Sequence, residues 1–283
     1  MRQLLFNLHN HSHYCDGSSP PEDYITEAIR QGFHTLGFSS HAPVPFKNGF
    51  AINDENTLLE YAGEIRRLKE KYRHQINIFL SLEIDYIPGL TTDFEVFKKL
   101  AGLEYTIGGI HLVKSPLKQG LWFIDGSKSE IYDEGLERLF NGDIRLAVTT
   151  YWEQMRNMIS TQNPDIVAHL DKIKMHNKNR YFTQDEQWYR EQVDRTLELI
   201  AAKNTIVEVN TRGMYKGRSD ELFPGRGILD KIRQLDIPVT LNSDAHKPQE
   251  LSGYYEEAKA ELRDAGFRYL KLFTKKGWEC VRI

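Results

Sequence analysis

The sequence predicts a parallel α/β fold, and within that class a closed or distorted (β/α) barrel rather than an open doubly wound sheet. Three observations predict it. Seven short apolar, β-branched runs alternate with polar amphipathic segments, the order of strands and crossover helices in a parallel sheet. The chain has 283 residues, close to the roughly 250 of a typical barrel. Neither nucleotide-binding fingerprint of the open folds occurs: there is no G-x-x-x-x-G-K-[ST], and Gly225-Arg226-Gly227 has no third glycine at the required place.

The predicted strands are Leu4–Leu8, Thr35–Ser39, Ile76–Ile84, Tyr105–Ile110, Ile166–Ala168, Thr205–Asn210 and Pro238–Asn242. Each is short, apolar and rich in β-branched or aromatic side chains. Between the first two, Ser19-Pro20-Pro21-Glu22 reads as a capping box with proline at the first helical position, and Gly32 as the closing C-cap. Leu58–Tyr72 has helical periodicity and many charges, as a surface helix does. Thr92-Asp93-Phe94-Glu95 and Thr183-Gln184-Asp185-Glu186 are two further capping boxes, and Gly225–Leu235 and Pro248–Ala265 the last helices. No linker, repeat or shift in composition divides the chain, so residues 1–283 are expected to form a single domain.

Composition excludes several functions. Hydrophobic residues make up 40%, enough for a sizeable core and too many for a disordered chain. Charges balance at −3, which gives no bulk attraction for a polyanion; long nucleic acid is disfavoured, as no basic, aromatic-rich stripe occurs. Cys15 and Cys280 are the only cysteines, too few for a disulfide framework or a thiolate zinc knuckle. Met1–Asn7 has no apolar stretch like that of a secretory leader, and no run suits a membrane span; a cytoplasmic protein is expected.

The ten histidines acquire meaning from position. The first strand runs into His9-Asn10-His11-Ser12-His13-Tyr14-Cys15-Asp16-Gly17, the second into His41, the fourth into His111, the fifth into His169 and the seventh into Asp244-Ala245-His246, while Glu83 lies in the third. In a parallel barrel those strand ends share one face, so residues distant in sequence converge. His9 and His11, like Asp244 and His246, have the i, i+2 spacing that turns two side chains the same way in extended backbone. Imidazole and carboxylate together suit Zn, Fe or Mn, and without thiolates a catalytic rather than structural metal site. A lone histidine after a strand is more often a hydrogen-bonded structural residue, an isolated H-x-H is a weak signal, and Asp16-Gly17 alone is a turn. Glu83 is different: a carboxylate inside an apolar strand needs a basic partner or a metal. His13, His34, His74 and His176 read as surface or supporting groups.

The set His9-x-His11, Asp16-Gly17, His41, Glu83, His111, His169 and Asp244-x-His246 resembles the polymerase and histidinol phosphatase (PHP) family of metal-dependent phosphoesterases. It matches in order over almost the whole chain. Cys15-Asp16-Gly17-Ser18, Gly37-Phe38-Ser39-Ser40-His41-Ala42-Pro43, Gly109-Ile110-His111 and Glu208-Val209-Asn210-Thr211 resemble the stand-alone histidinol-phosphatase branch. The resemblance implies a distorted (β/α)7 barrel with three divalent metal ions (Zn, Fe or Mn) at the C-terminal strand ends. It implies His9, His11, Glu83 and Asp244 around the first, Glu83, His111 and His169 around the second, and Asp16, His41 and His246 around the third. Glu83, Asp244 and His246 are read as the catalytic residues. Many relatives carry arginine two residues after the glycine that follows the Glu-x-Asn-Thr segment. Here that position is Tyr215, so Arg212, Arg218, Arg180 and Lys114 are all candidates for holding phosphate.

The function this implies is hydrolysis of a small phosphorylated substrate, L-histidinol phosphate, to L-histidinol and phosphate, a step of histidine biosynthesis. Metals lower the pKa of bound water and absorb charge on phosphate oxygens; a hydroxide bridging two metals is the expected nucleophile. The leaving alcohol's proton has two candidate sources, a metal-bound water or a side chain such as His13. Cys15 reads as a small packing residue rather than a nucleophile, and without a G-x-S-x-G elbow a serine triad is disfavoured. Two alternatives stand beside this reading: another phosphoesterase of the family, acting on a nucleotide, a nucleic-acid end or another small ester, and a non-enzymatic metal-binding module.

Overall fold

A computed structural model describes residues 4–283. Met1, Arg2 and Gln3, part of the segment read as lacking a leader, lie outside the described residues. In chain order the elements are β1 (Leu5–Asn7), α1 (Pro21–Gln31), β2 (Phe33–Phe38), α2 (Glu55–Lys71), β3 (Asn77–Leu80), β4 (Glu83–Asp85), α3 (Phe94–Ala101) and β5 (Ile107–Gly109). There follow β6 (Leu112–Lys114), β7 (Leu121–Phe123), α4 (Ser129–Phe140), α5 (Ile144–Gln162), β8 (Ile166–Val167), α6 (Gln187–Lys203) and β9 (Ile206–Asn210). The chain ends with α7 (Arg212–Tyr215), α8 (Arg226–Gln234), β10 (Val239–Asn242), α9 (Tyr255–Asp264), β11 (Tyr269–Thr274) and β12 (Gly277–Arg282).

Two parallel sheets carry the predicted strands, ordered β1-β2-β3 and β10-β9-β8-β5-β4. They are joined at both seams. β3 and β4 are halves of the one predicted strand, bent at Ser81-Leu82; Ser81 N–H still donates to Phe38 O at 2.7 Å and Ile107 N–H to Leu82 O at 3.0 Å. At the other seam Asn10 bridges Ala245, with His11 N–H donating to Ala245 O at 2.8 Å. The result is a distorted parallel barrel. Its strands are buried on both faces, which is why they read as continuous apolar runs instead of alternating ones.

Helices cover the outside with one apolar stripe each, for example Tyr24, Ile25 and Ala28 of α1 and Ile228, Leu229 and Ile232 of α8. Gly32 does close α1, in the left-handed region at φ 82°. Three helix boundaries differ from expectation. Pro20, not Ser19, occupies the N-cap of α1, and no side chain caps it. Asp93, not Thr92, caps α3, accepting from Glu95 N–H at 2.9 Å. Only half of the Thr183 box forms: Glu186 accepts from Thr183 N–H at 2.8 Å, but the helix starts one residue later. Pro248–Ala265 is not one helix either. A 3-10 turn at Pro248–Glu250 precedes α9, and Gly253 between them lies against the Tyr215 ring, where a Cβ would meet it at 2.7 Å.

Two hairpins were not predicted. β6 and β7 pair antiparallel directly after the fourth barrel strand and reach over its C-terminal end. β11 and β12 pair antiparallel and set Phe273 against Phe79 (ring centroids 5.0 Å apart) and Trp278 against Tyr105 (5.9 Å), packing on the end of the barrel where Tyr105 enters β5. No described helix is long and apolar enough to cross a membrane.

Candidate metal centre

The C-terminal strand ends bring nine predicted side chains into one buried cluster. His9 and His11 follow β1, His41 follows β2, Glu83 opens β4, His111 follows β5, His169 follows β8, and Asp244 and His246 follow β10. Asp16, on the loop after β1, is the most exposed, its side chain 31% accessible. Glu83 sits at the centre. One oxygen, Oε2, lies 3.0 Å from His9 Nε2, 3.3 Å from His11 Nε2 and 3.4 Å from His41 Nδ1. The other, Oε1, lies 2.8 Å from His169 Nε2 and 3.6 Å from His111 Nε2. Gly109 permits this approach, since a Cβ there would stand 3.1 Å from both Glu83 Oε1 and the His169 ring.

Around that centre, ligand-type atoms gather within 4.8 Å of one another in three groups: His9, His11 and Asp244; His41, Glu83 and His111; and His11, Asp16, His41 and His246. The first lacks Glu83, which was expected with these three, and the third adds His11 to the expected Asp16, His41 and His246. In the second, His41 takes the place expected of His169, although His169 touches Glu83 directly. His11 and His41 thus stand between groups. His169 and Asp244 both have positive φ, 31° and 53°, conformations that cost side-chain-bearing residues of order 1–3 kcal/mol and cluster at functional sites.

Acids outside the expected ligand set fix the imidazoles. His9 Nδ1 is 2.6 Å from Glu208 Oε1, which leaves Nε2 facing Glu83 and His11. His111 Nδ1 is held by Asp85, leaving Nε2 toward the cavity. Such partners select the tautomer of a metal-binding histidine. Glu208, inside the predicted strand Thr205–Asn210, carried the signal used for Glu83; Asp85 lies one residue past the predicted strand and inside the observed β4. Lys172 and Asp125 also line the cavity, paired at 2.9 Å, and had no sequence signal.

The electrostatics fit divalent cations. Burial opposes protonation of His9, but Glu208, Glu83 and Asp244 outweigh it and lift its pKa to about 10. Burial likewise opposes protonation of His41, and Glu83 and Asp85 lift it to about 9. His246 moves the other way, to about 4, through burial, His11 and Arg212. Burial would raise the Glu83 carboxyl, yet His9, His41 and His111 hold it well below the usual carboxylate range. His9 Nε2 and His11 Nε2 face each other at 3.1 Å, and Asp244 Oδ1, His169 Nδ1 and Asp85 Oδ2 are buried without a hydrogen-bond partner. Lone pairs crowded in this way need protons or metal ions between them.

The four phosphate-binding candidates separate. Arg212 and Arg218 line the cavity. Arg212 Nη1 lies 2.7 Å from Asp244 O, to which it donates, and 2.6 Å from His246 Nδ1. Arg180 instead makes a two-point pair with Asp133 at 2.7 and 2.8 Å, and Lys114 donates to Pro88 O at 2.9 Å; neither lines the cavity. Tyr215, at the position where the resemblance implies arginine, donates to Ser243 O at 2.9 Å and so holds the backbone entering Asp244. His13 is exposed and packs on Tyr14, and His34 and His74 are exposed too; His176 is bound to Gly126 O at 2.7 Å. Cys15 is partly buried against the core with Sγ 3.5 Å from His11 Nδ1.

Known proteins resemble the chain along most of its length. The chain is 28% identical over 96% of its length, and 90% of the relative's, to a Schizosaccharomyces pombe protein named "Probable histidinol-phosphatase". It is 26% identical to the histidinol-phosphatase of Bacillus subtilis, covering 88% of this chain and 96% of that one. A crystal structure of histidinol phosphate phosphatase from Lactococcus lactis, complexed with zinc, L-histidinol and phosphate, superposes with a TM-score of 0.68 at 21% identity, covering 97% of this chain and 98% of that one. Residues 7–212, which hold seven of the nine clustered side chains, match the family model of the PHP domain, and the chain belongs to that family.

Proposed function

We propose that this chain is a metal-dependent phosphomonoesterase that hydrolyses L-histidinol phosphate to L-histidinol and phosphate. The observation that carries the reading is one cavity lined by Asp16, His41, Glu83, His111, Asp244 and His246 together with Arg212 and Arg218. Ligands for cations and cationic groups for an anion face the same space. Full-length similarity to proteins named histidinol-phosphatase supports the substrate.

On this reading residues 1–283 act as one catalytic unit holding three divalent ions, Zn, Fe or Mn. His9, His11, Glu83 and Asp244 would hold the first, Glu83, His111 and His169 the second, and Asp16, His41 and His246 the third. Bound there, the ions would acidify water and neutralise phosphate oxygens. The chain's own residues do the rest. Glu83 joins two groups through its two oxygens. Glu208 and Asp85 fix the imidazoles. Arg212, anchored to the Asp244 carbonyl, faces the cavity with charge for a phosphate oxygen.

Phosphate release from L-histidinol phosphate, measured with added divalent metal beside nucleotides and sugar phosphates, tests the reading. L-histidinol phosphate is expected to have the highest kcat/KM. A low rank on that panel overturns the substrate in favour of another phosphate ester, and no release from any ester overturns the activity.

A further inference from the structure

The strands that lead to five of the nine clustered side chains are neighbours without a ladder between them. β1 runs into His9, His11 and Asp16, and β10 into Asp244 and His246, yet β1 ends one sheet and β10 the other. On its far side β10 pairs with β9 at every residue from Val239 to Asn242. Across the seam to β1 the backbones meet only near the ligands. There, among the described residues, His11 N–H donates to Ala245 O at 2.8 Å, Ala245 N–H to His9 O at 3.3 Å and Ser18 N–H to His246 O at 2.8 Å.

Below that point side chains replace the ladder. Asn242 Oδ1 accepts from Leu8 N–H at 2.8 Å. Asn7 Nδ2 donates to Ser243 Oγ at 2.7 Å and to Leu251 O at 3.2 Å. The Tyr255 hydroxyl, at the start of α9, lies 3.1 Å from Phe6 O and 3.3 Å from Leu241 O, so one donor serves a carbonyl of each strand. All four side chains are buried. Asparagine is depleted in strands, and its amide is costly to bury unless hydrogen-bonded, so a buried pair across one seam needs a reason.

The same amides reach the ligands. Asn242 Nδ2 donates to Glu208 Oε1 at 2.9 Å, the oxygen that holds His9 Nδ1 at 2.6 Å. Asn7 Oδ1 accepts from His9 N–H at 3.1 Å. Two ligand groups straddle the seam: His9 and His11 with Asp244, and His11, Asp16 and His41 with His246. The group of His41, Glu83 and His111 does not. A backbone ladder would hold the two strands about 4.8 Å apart along their length. Ties made by side chains are free to set another spacing, and with it the distance between ligands on the two strands.

We infer that Asn7, Asn242, Ser243 and Tyr255 are positioning residues that set metal affinity in the two groups straddling the β1–β10 seam. This rests on the metal site of the proposed function and not on its substrate.

Tyr255→Phe removes one hydroxyl and keeps the ring, and Ser243→Ala removes the acceptor of Asn7; neither changes a proposed ligand. Metal-free wild type and variants are titrated with zinc against a chromophoric chelator. Anomalous diffraction, at a zinc concentration that just saturates the wild type, reads the occupancy of each group, and urea unfolding is followed alongside. Each variant is expected to bind zinc in the straddling groups roughly tenfold more weakly, with the ion among Glu83, His111 and His169 held as in the wild type. Lower stability with unchanged zinc affinities makes the ties merely structural and overturns the inference, as does equal weakening of every ion. Should Tyr255→Phe not fold, Ser243→Ala decides between the same outcomes. A wild type that binds no zinc overturns the metal reading and this inference with it. Wild-type zinc binding that survives both substitutions overturns the inference alone.

Discussion

His9 and Glu208 form a buried pair, Nδ1 to Oε1 at 2.6 Å, and the acid is fully occupied around it. Asn242 and Asn210 donate to Glu208 at 2.9 and 3.0 Å, and the His169 N–H at 3.1 Å. One carboxylate therefore orients an imidazole from β1 and the backbone after β8. Glu208→Gln keeps the shape but turns an NH2 toward one of these donors. Activity or metal affinity is expected to fall roughly 10–100-fold, the usual cost of losing a partner behind a ligand. Activity titrated against added zinc checks this, and an unshifted curve with full activity contradicts it.

Glu83 reaches His9, His11 and His41 with one oxygen and His169 and His111 with the other. A side chain shared in this way should affect more than one ion. Glu83→Ala is expected to abolish turnover and to lower metal content by more than one ion per chain. Elemental analysis showing the wild-type stoichiometry contradicts the shared role.

Much of this site could be read from the chain because parallel strands place their C-terminal ends on one face, so the histidines and acids that follow five of the seven apolar runs, with Glu83 inside a sixth, had one destination. Glu83 was legible through the cost of a buried carboxylate. Asp85 and Glu208 obeyed the same rule but could not be told from partners of basic residues without distances. Asp125 and Lys172 were illegible, because the β6–β7 hairpin that carries Asp125 is two three-residue strands with no periodicity to detect. Arg180 and Lys114 show the converse limit: charge in a loop says nothing of direction, and Asp133 and Pro88 O claim them. The break before α9 came from tertiary packing of Gly253 on Tyr215, which local helix propensity does not register.

The barrel interior gives a prediction independent of metal. A Cβ on Gly37 would lie 1.9 Å from the Tyr105 hydroxyl and 2.9 Å from Leu8 O, and that hydroxyl itself donates to Leu8 O. Gly37→Ala must push β1, β2 or Tyr105 apart, and is expected to destabilise the fold by about 1–3 kcal/mol, the range for overpacked cores. Urea unfolding measures it. Combining it with Tyr105→Phe, which removes the clashing oxygen, should cost less than the sum of the two single changes. Strict additivity would locate the strain elsewhere.

Removing metal should expose the crowding at the site. Without cations, His9 and His11 face each other at 3.1 Å, and Asp244 Oδ1 stays unpartnered. Ligand binding to the folded state adds stability by about 2.7 kcal/mol at a hundred times Kd. Treatment with a chelator is expected to lower Tm by several degrees, and zinc to restore it. An identical Tm before and after verified removal of metal contradicts the reading of this cluster as a cation site.

Arg212 is the candidate for gripping phosphate, because it lines the cavity while its Nη1 is anchored on Asp244 O at 2.7 Å. Burial opposes its charge but Asp244, Tyr215 and Glu250 favour it, so it remains a guanidinium throughout the working range. A charged hydrogen bond to phosphate contributes about 1.5–3 kcal/mol. Arg212→Ala is therefore expected to weaken inhibition by inorganic phosphate roughly ten- to a hundredfold. Arg212→Lys should restore the charge without the two-pronged geometry and so recover part of the phosphate affinity. Arg218→Ala, measured in parallel, separates the two residues. A change below threefold for Arg212→Ala with a large one for Arg218→Ala would transfer the role to Arg218. Metal content must stay at the wild-type level for either result to count as phosphate binding, since Arg212 also contacts His246.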